Sequence, residues 1–384
     1  MLWPELFARA HAAASGDVRP KGANPRQDVG AKRRNPGESK SRRYFYYICR
    51  NEKLFIMKRR EFLQLCGGLF IVTQLPRNSY ALPTNQVLGS DTLKEIKKFT
   101  INVGATAPFK VLHISDTHLT RVDERDNERK HALAAKRSSA FPDAEKYFDA
   151  AIKHARENNL LLMHTGDLQD FVSEANLDYI AAHLNAEQWY TAAGNHEFSQ
   201  YVGEARENAE YKAQSYDKVQ AVFPNDLTVA SRIINGVNFV AIDNVYYYVT
   251  AEQHKAVKRE FEKGLPVVLM CHIPFYTPEH CQVTLKKYQG RTSYMAATPP
   301  QVINDYRTNP DNPVSESHRN RPVPATLVSP ETQEFYDWLK EQQQLKAIIC
   351  GHMHKFYQEQ FSPTAVQYTV GANYFGFAQE IEFI

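Results

Sequence analysis

The chain has 384 residues, 43% hydrophobic and 23% charged, with 46 Lys+Arg against 43 Asp+Glu and a net charge of +3. The basic surplus is confined to the start: residues 1–81 carry 16 Lys+Arg and 6 Asp+Glu, which leaves residues 82–384 with 30 against 37 and a net −7. A mildly acidic body argues against a nucleic-acid backbone as main partner, since such binding neutralises phosphates with Lys and Arg, and about 300 residues without internal repeats suffice for one large α/β domain.

In chain order, Arg, Lys, Asn, Gly and Pro dominate from Gly16 to Arg43 with no helical or strand period. Such a segment buries too little to order itself. Residues 1–56 read as an extension upstream of a start at Met57, with a basic tail for nucleic acid or membrane as the other reading. Met57-Lys58-Arg59-Arg60-Glu61-Phe62-Leu63-Gln64 resembles a twin-arginine export signal. An apolar stretch follows from Leu63 to Leu75, then Ser79-Tyr80-Ala81 as a small-x-Ala cleavage site. Residues 57–81 are therefore expected to send the mature chain, 82–384, to the periplasm or beyond. The stretch is too short for a stable transmembrane span, which wants about 20 apolar residues. Leu63-Gln64-Leu65 before Cys66 fits a lipobox poorly.

Five short apolar runs follow, and each stops at a polar block. Val111-Leu112-His113-Ile114 leads into Asp116-Thr117-His118. Leu160-Leu161-Leu162-Met163 leads into Gly166-Asp167-Leu168-Gln169-Asp170. Trp189-Tyr190-Thr191-Ala192 leads into Gly194-Asn195-His196-Glu197. Pro266-Val267-Val268-Leu269-Met270 leads into Cys271-His272, and Ala347-Ile348-Ile349-Cys350 into Gly351-His352-Met353-His354. Such runs predict buried strands, and α/β sheets bind ligands outside the carboxyl ends of their strands. Ala144 to Asn158 carries apolar residues at helical spacing, and Ser329-Pro330 predicts an N-cap and first helical position for a helix through Glu341. Phe356–Phe361, Val366–Val370 and Gln379–Ile384 read as strands finishing a second sheet.

Singly, these blocks are what turns, helix caps and core histidines look like; as an ordered set they describe one site. They resemble the calcineurin-like metallophosphoesterases: D-x-H, G-D-x-x-D, G-N-H-E, a lone H, and G-H-x-H, over roughly residues 108 to 384. The resemblance implies an α/β fold, a four-layer α/β/β/α sandwich of two sheets flanked by helices. It implies that Asp116, His118, Asp167 and His354 hold a first metal ion, and Asp167, Asn195, His272 and His352 a second, with Asp167 bridging. His196 would face the substrate as general acid and Asp170 would orient it. The implied reaction is hydrolysis of a phosphodiester or phosphomonoester by a metal-bridging hydroxide, with the ions about 3.5–4 Å apart. Mixed imidazole, carboxylate and amide ligands suit Mn, Fe or Zn, and affinity alone does not choose among them.

Purple acid phosphatases, relatives in this family, carry Tyr at the position of Asp170 and lack the His of the first block. This chain therefore looks more like the branch containing class III cyclic-nucleotide phosphodiesterases. Some metallophosphoesterase folds serve instead as scaffolds, as in one retromer subunit, and a non-catalytic scaffold is the competing reading; the full ligand set together with His196 opposes it. The expected partner is a small phosphate ester, with no stable transmembrane span; the oligomeric state is not fixed by the sequence.

Two segments are candidates for substrate choice. Thr120 to about Phe141 is rich in charge: Arg121, Asp123, Glu124, Arg125, Arg129, Lys130 and His131. Phe275 to about Val328 reads as a lid-like insertion, in which Arg291 or Lys287 would hold phosphate oxygens and Tyr288 or Tyr294 would stack on a base or sugar. Cys271 and Cys350 each precede a block residue and are expected to be buried thiols, with a Cys271–Cys281 disulfide as an alternative in an exported protein.

Overall fold

The computed structural model describes residues 92–203, 209–291 and 295–384. The extension, the signal-like segment with Cys66, and Tyr294 lie outside them.

Two sheets carry the fold. The first has the strand order β1 (Glu95–Ile101), β11 (Phe377–Phe383), β2 (Phe109–Ile114), β3 (Leu161–His164) and β4 (Trp189–Thr191). The second has the order β5 (Val229–Ile234), β6 (Val237–Ile242), β7 (Val267–Met270), β8 (Leu345–Cys350), β10 (Ala365–Thr369) and β9 (Tyr357–Ser362). Strands β2, β3 and β4 run parallel, as do β6, β7, β8 and β10.

Side chains alternate across a strand, so a strand with apolar residues on both faces must be covered twice. In β7, Val268 and Met270 join a core with Val111, Met163, Phe239 and Ile349, which lies between the two sheets. Val267, Leu269 and Cys271 face the opposite way. They pack with Val257 and Phe261 of α5 (Ala251–Phe261) and with Phe335 and Leu339 of α9 (Pro330–Glu341). On the first sheet, Leu112 and Ile114 meet Phe148, Ala151 and Ile152 of α2 (Ala144–Glu157) and Leu177 and Ile180 of α3 (Glu174–His183). Three cores separating four layers make an α/β/β/α sandwich. The remaining helices are α1 (Glu128–Ser138), α4 (Ala209–Gln220), α6 (Pro278–Lys287), α7 (Pro300–Thr308) and α8 (Glu316–Arg319).

The helix expected from Ala144 is α2, and the one expected from Ser329-Pro330 is α9, where the Ser329 hydroxyl accepts from the Thr332 amide at 3.1 Å. One expectation fails. The last strand belongs to the first sheet, not the second: Phe377–Phe383 pairs parallel to β1 and antiparallel to β2. Placed there, Ile381 and Phe383 close the core between the sheets. Cys271 and Cys350 are buried free thiols as expected, and the alternative Cys271–Cys281 disulfide does not form. Both thiols are free and buried, Cys271 under α5 and α9, Cys281 in a separate small cluster with Leu285, Met295 and Tyr306. Among the described residues no helix is long and apolar enough to cross a membrane.

His280, on α6, illustrates what burial does to a titrating group. It is 3% exposed and its ring stacks on Tyr357 at 4.0 Å. Burial pushes its pKa down from 6.5 to about 4, against the pull of Glu359. Between those values the unfolded chain binds a proton that the folded chain refuses, so stability falls as pH drops. The loss reaches about 3 kcal/mol near pH 4 from this residue alone. Urea midpoints at pH 7 and pH 5 should differ less in His280→Leu than in the parent chain.

Candidate metal centre

The blocks sit where parallel strands end together. Ile114, His164 and Thr191 are in register across β2, β3 and β4, and Met270 is in register with Ile349 across β7 and β8. The chain beyond these ends stays paired. Amides of Asp116, Thr117 and His118 donate to carbonyls of Gly166 and Asp167 at 2.9–3.0 Å, and the Asp170 amide to Leu119 at 2.9 Å. The first two blocks are thereby one backbone unit.

Five of the seven expected ligands hold a left-handed backbone: Asp116 (φ 56°), His118 (55°), Asp167 (57°), His352 (68°) and His354 (55°). A non-glycine residue in that region costs on the order of 1–3 kcal/mol and persists where its surroundings over-determine it, typically at functional sites. In D-x-H and H-x-H alike, both outer residues take this turn, so two side chains two positions apart face one centre.

Two triads result. Asp116, His118 and His354 bring their ligand atoms within 4.8 Å of one another, as do Asp167, His272 and His352. The same Asp167 oxygen, Oδ2, lies 3.2 Å from His272 Nε2 and 3.8 Å from His118 Nε2, so it faces both triads. His354 Nε2 is 3.1 Å from Asp116 Oδ1, and His354 Nδ1 pairs with the Tyr374 hydroxyl at 2.9 Å. His352 Nδ1 is 3.2 Å from His272 Nε2, with Tyr247 at its other nitrogen. Asn195 is 8% exposed.

These atoms fit cations. His118 Nε2 and Asn195 Oδ1 are buried without a hydrogen-bond partner, and buried Asp116 Oδ1 faces only the His354 ring nitrogen at 3.1 Å, which is costly unless something else satisfies them. His272 Nδ1 donates to the Thr165 carbonyl at 2.7 Å. Its Nε2 is then a lone pair in the neutral ring, yet it faces a carboxylate oxygen, Asp167 Oδ2, at 3.2 Å. Acceptors pointed at one another need a positive charge between them. Without an ion a proton supplies it: burial opposes protonation of His272, but Asp167 raises its pKa to about 9. Burial likewise opposes ionisation of Asp116 and Asp167, and the neighbouring imidazoles nonetheless hold both carboxyls well below the usual carboxylate range.

His196 stands beside the triads. Its Nδ1 donates to the Asp170 carbonyl at 2.8 Å and lies 3.2 Å from Asp170 Oδ1, while its amide donates to Asp167 Oδ1 at 2.8 Å. Burial would lower its pKa, but Asp167 and Asp170 raise it to about 9. Asp170 is wholly buried and accepts His118 Nδ1 at 2.9 Å.

Glu197 closes the third block, and the sequence pattern alone gives it no role. It is fully buried, and its carboxylate accepts the amides of Asp167 (2.7 Å), Leu168 (2.6 Å) and Gly194 (2.5 Å). It ties the second block to the third. Arg137, which grips Asp170, carries no sequence signal beyond lying in the charge-rich segment. Arg121, Arg125, Arg129, Lys130 and His131 of that segment are engaged elsewhere. Arg121 pairs with Glu145, Arg125 with Asp123 and Asp178, Arg129 lies over the Tyr201 ring, and buried Lys130 donates to the carbonyls of Val172 and Gln200. His131 pairs with the Asp123 carbonyl. In the second segment, Lys287 pairs with the Tyr288 hydroxyl at 2.7 Å, and Tyr288 lies within electrostatic reach of Asp116 and Arg291.

Gly194 has no room for a side chain. A Cβ there would overlap the Asp167 amide, Asp167 Oδ1 and Glu197 Oε2. Gly194→Ala should cost about 1–3 kcal/mol, the usual penalty of overpacking, and should lower bound metal as Asp167 shifts. A urea titration with elemental analysis of the same sample checks both.

A family model described as calcineurin-like phosphoesterase matches residues 109–356, from β2 to just past His354 and well over half of the chain. The chain belongs to that family, and is by that membership a metal-dependent phosphoric ester hydrolase. Similar solved structures include a dimetal phosphatase from Danio rerio, at 13% identity over 69% of this chain and 88% of that one, TM-score 0.35. A purple acid phosphatase from yellow lupin (Lupinus luteus) is 13% identical over 71% of this chain and 45% of that one, TM-score 0.36. A 5'-nucleotidase from Candida albicans is 12% identical over 72% and 48%, TM-score 0.32. No curated protein matches the chain.

Proposed function

We propose that this chain is a dinuclear phosphoesterase acting on a small phosphodiester or phosphomonoester. The observation that carries the reading is the single Asp167 oxygen facing both triads, His272 on one side and His118 on the other. Asp116, His118, Asp167 and His354 would hold one ion, and Asp167, Asn195, His272 and His352 the other. When bound, a pair of divalent ions acidifies water and offsets charge on the phosphoryl oxygens. The chain's own part is proton transfer and orientation. His196 Nδ1 is committed to Asp170, so Nε2 is the nitrogen left to give a proton to the leaving oxygen. Asp170, anionic among cationic and N–H partners, keeps that ring turned and charged.

Asp170 where purple acid phosphatases carry tyrosine, and His118 where they lack a histidine, support placement near the class III cyclic-nucleotide phosphodiesterases. The motif from Met57 to Gln64 supports export, with the mature chain from residue 82 working outside the cytoplasm. The segment from Phe275 to about Val328 would act as a lid.

The test loads the full chain in turn with Mn, Zn or Fe and compares p-nitrophenyl phosphate with bis-p-nitrophenyl phosphate. Preference for the diester supports a phosphodiesterase and directs attention to cyclic nucleotides and phospholipid headgroups. Preference for the monoester supports a phosphatase. No turnover with any metal would overturn the reading.

A further inference from the structure

Three side chains meet at the Asp170 carboxylate, and one of them, Arg137, comes from outside the five blocks. Arg137, near the end of α1, donates from Nε to Asp170 Oδ2 at 2.6 Å and from Nη2 to Oδ1 at 2.7 Å. The same Oδ1 accepts His118 Nδ1 at 2.9 Å and lies 3.2 Å from His196 Nδ1. A carboxylate held only by two imidazoles can turn about its own axis; a two-pronged guanidinium fixes its plane. The Arg137 guanidinium also rests over Phe141 at 4.9 Å, and Phe141 stacks on the His118 ring at 4.6 Å with 11° between the planes. His118 is thus held at its Nδ1 edge through Asp170 and on one face through Phe141, both set by the end of α1 and the turn after it.

We infer that Arg137 is the positioning residue of this centre: through Asp170 it sets the imidazole of a first-site metal ligand and the imidazole of the proton donor together. The inference rests on the roles proposed above for His118 and His196. Lysine at 137 would keep the positive charge and lose the fork, which separates orientation from charge.

The experiment uses the full metal-loaded chain and the variants Arg137→Gln and Arg137→Lys. Turnover of phenyl phosphate and the rate at which EDTA strips metal are measured side by side, with circular dichroism to establish folding. Arg137→Gln is expected to lower kcat by about 10- to 100-fold and to speed metal loss by a similar factor, the usual cost of removing a partner behind a ligand. KM should stay unchanged, and Arg137→Lys should recover only part of the loss. A raised KM with unaltered kcat would overturn the inference by making Arg137 a substrate contact, as would parent-like kcat and metal release. If Arg137→Gln does not fold, the lysine variant decides on the same two measurements. Should the parent chain turn over neither this monoester nor bis-p-nitrophenyl phosphate, the functional reading fails while metal release still tests Arg137.

Discussion

Asp167→Ala is expected to leave a folded chain that retains neither ion and hydrolyses nothing above background. The reason is the placement of one oxygen. Oδ2 of Asp167 faces His272 on one side and His118 on the other, so its loss removes the only carboxylate of the Asp167–His272–His352 group and the shared edge of the other. His118→Ala, by contrast, removes a ligand from the Asp116 group alone and should leave the second site able to bind. The two variants separate a bridge from an ordinary ligand. A second readout avoids catalysis altogether. Metal at about 100 times its dissociation constant stabilises a folded chain by about 2.7 kcal/mol per site, so added Mn should raise the melting temperature of the parent chain and leave Asp167→Ala unmoved. Retention of two ions by Asp167→Ala, by elemental analysis, would sink the ligand scheme.

The site was legible because its chemistry is local in sequence. Each block is a few residues long and lies at the end of an apolar run, so strand, strand end and ligand type could be read together. Asp116 and His118, or His352 and His354, are two positions apart, and the structure turns each pair inward with a repeated left-handed backbone. What could not be read depends on contacts distant in the chain. Arg137 reaches Asp170 across 33 positions, and Glu197 reaches the Asp167 amide across 30; nothing adjacent to either marks the partner. The run Gln379–Ile384 reads as part of the second sheet but lies in the first for the same reason, since the partners of Phe377–Phe383 are Glu95–Ile101 and Phe109–Ile114 at the other end of the described domain. Its apolar alternation predicts a strand and says nothing about which edge receives it. Cys271 and Cys350 were readable as buried thiols because a strand that turns one face to the space between the sheets must turn the other towards the helices.

The strain in the site has a consistent meaning. A left-handed aspartate or histidine is unfavourable on its own, and five in one region survive only because neighbouring groups fix them. The loops are tied by backbone pairing between the first two blocks, by the three amides on Glu197, and by the Asp116 carboxylate accepting the His352 amide at 2.9 Å. Several ligands thus also fasten the loops that present them, and substitutions here act on stability and metal binding together.

His196→Ala is the case in which the two separate. Its backbone amide donates to Asp167 Oδ1 and alanine keeps it, while its ring makes only an edge contact with the His118 ring at 4.7 Å. The side chain belongs to neither proposed metal group, and Asp170 still has Arg137 and His118 to satisfy it. Both ions should therefore stay bound while turnover falls by roughly 10²–10⁴-fold, the range for loss of a general acid. The fall must depend on the leaving group. Phenolate from p-nitrophenyl phosphate departs with little help, whereas an alkoxide needs its proton during bond cleavage, so the loss should be far larger on an alkyl ester. Measuring kcat for a series of esters of rising leaving-group pKa gives a steeper slope for His196→Ala than for the parent chain if the ring donates the proton. Parallel slopes, or unchanged turnover of the alkyl ester with both ions in place, would remove His196 from that role.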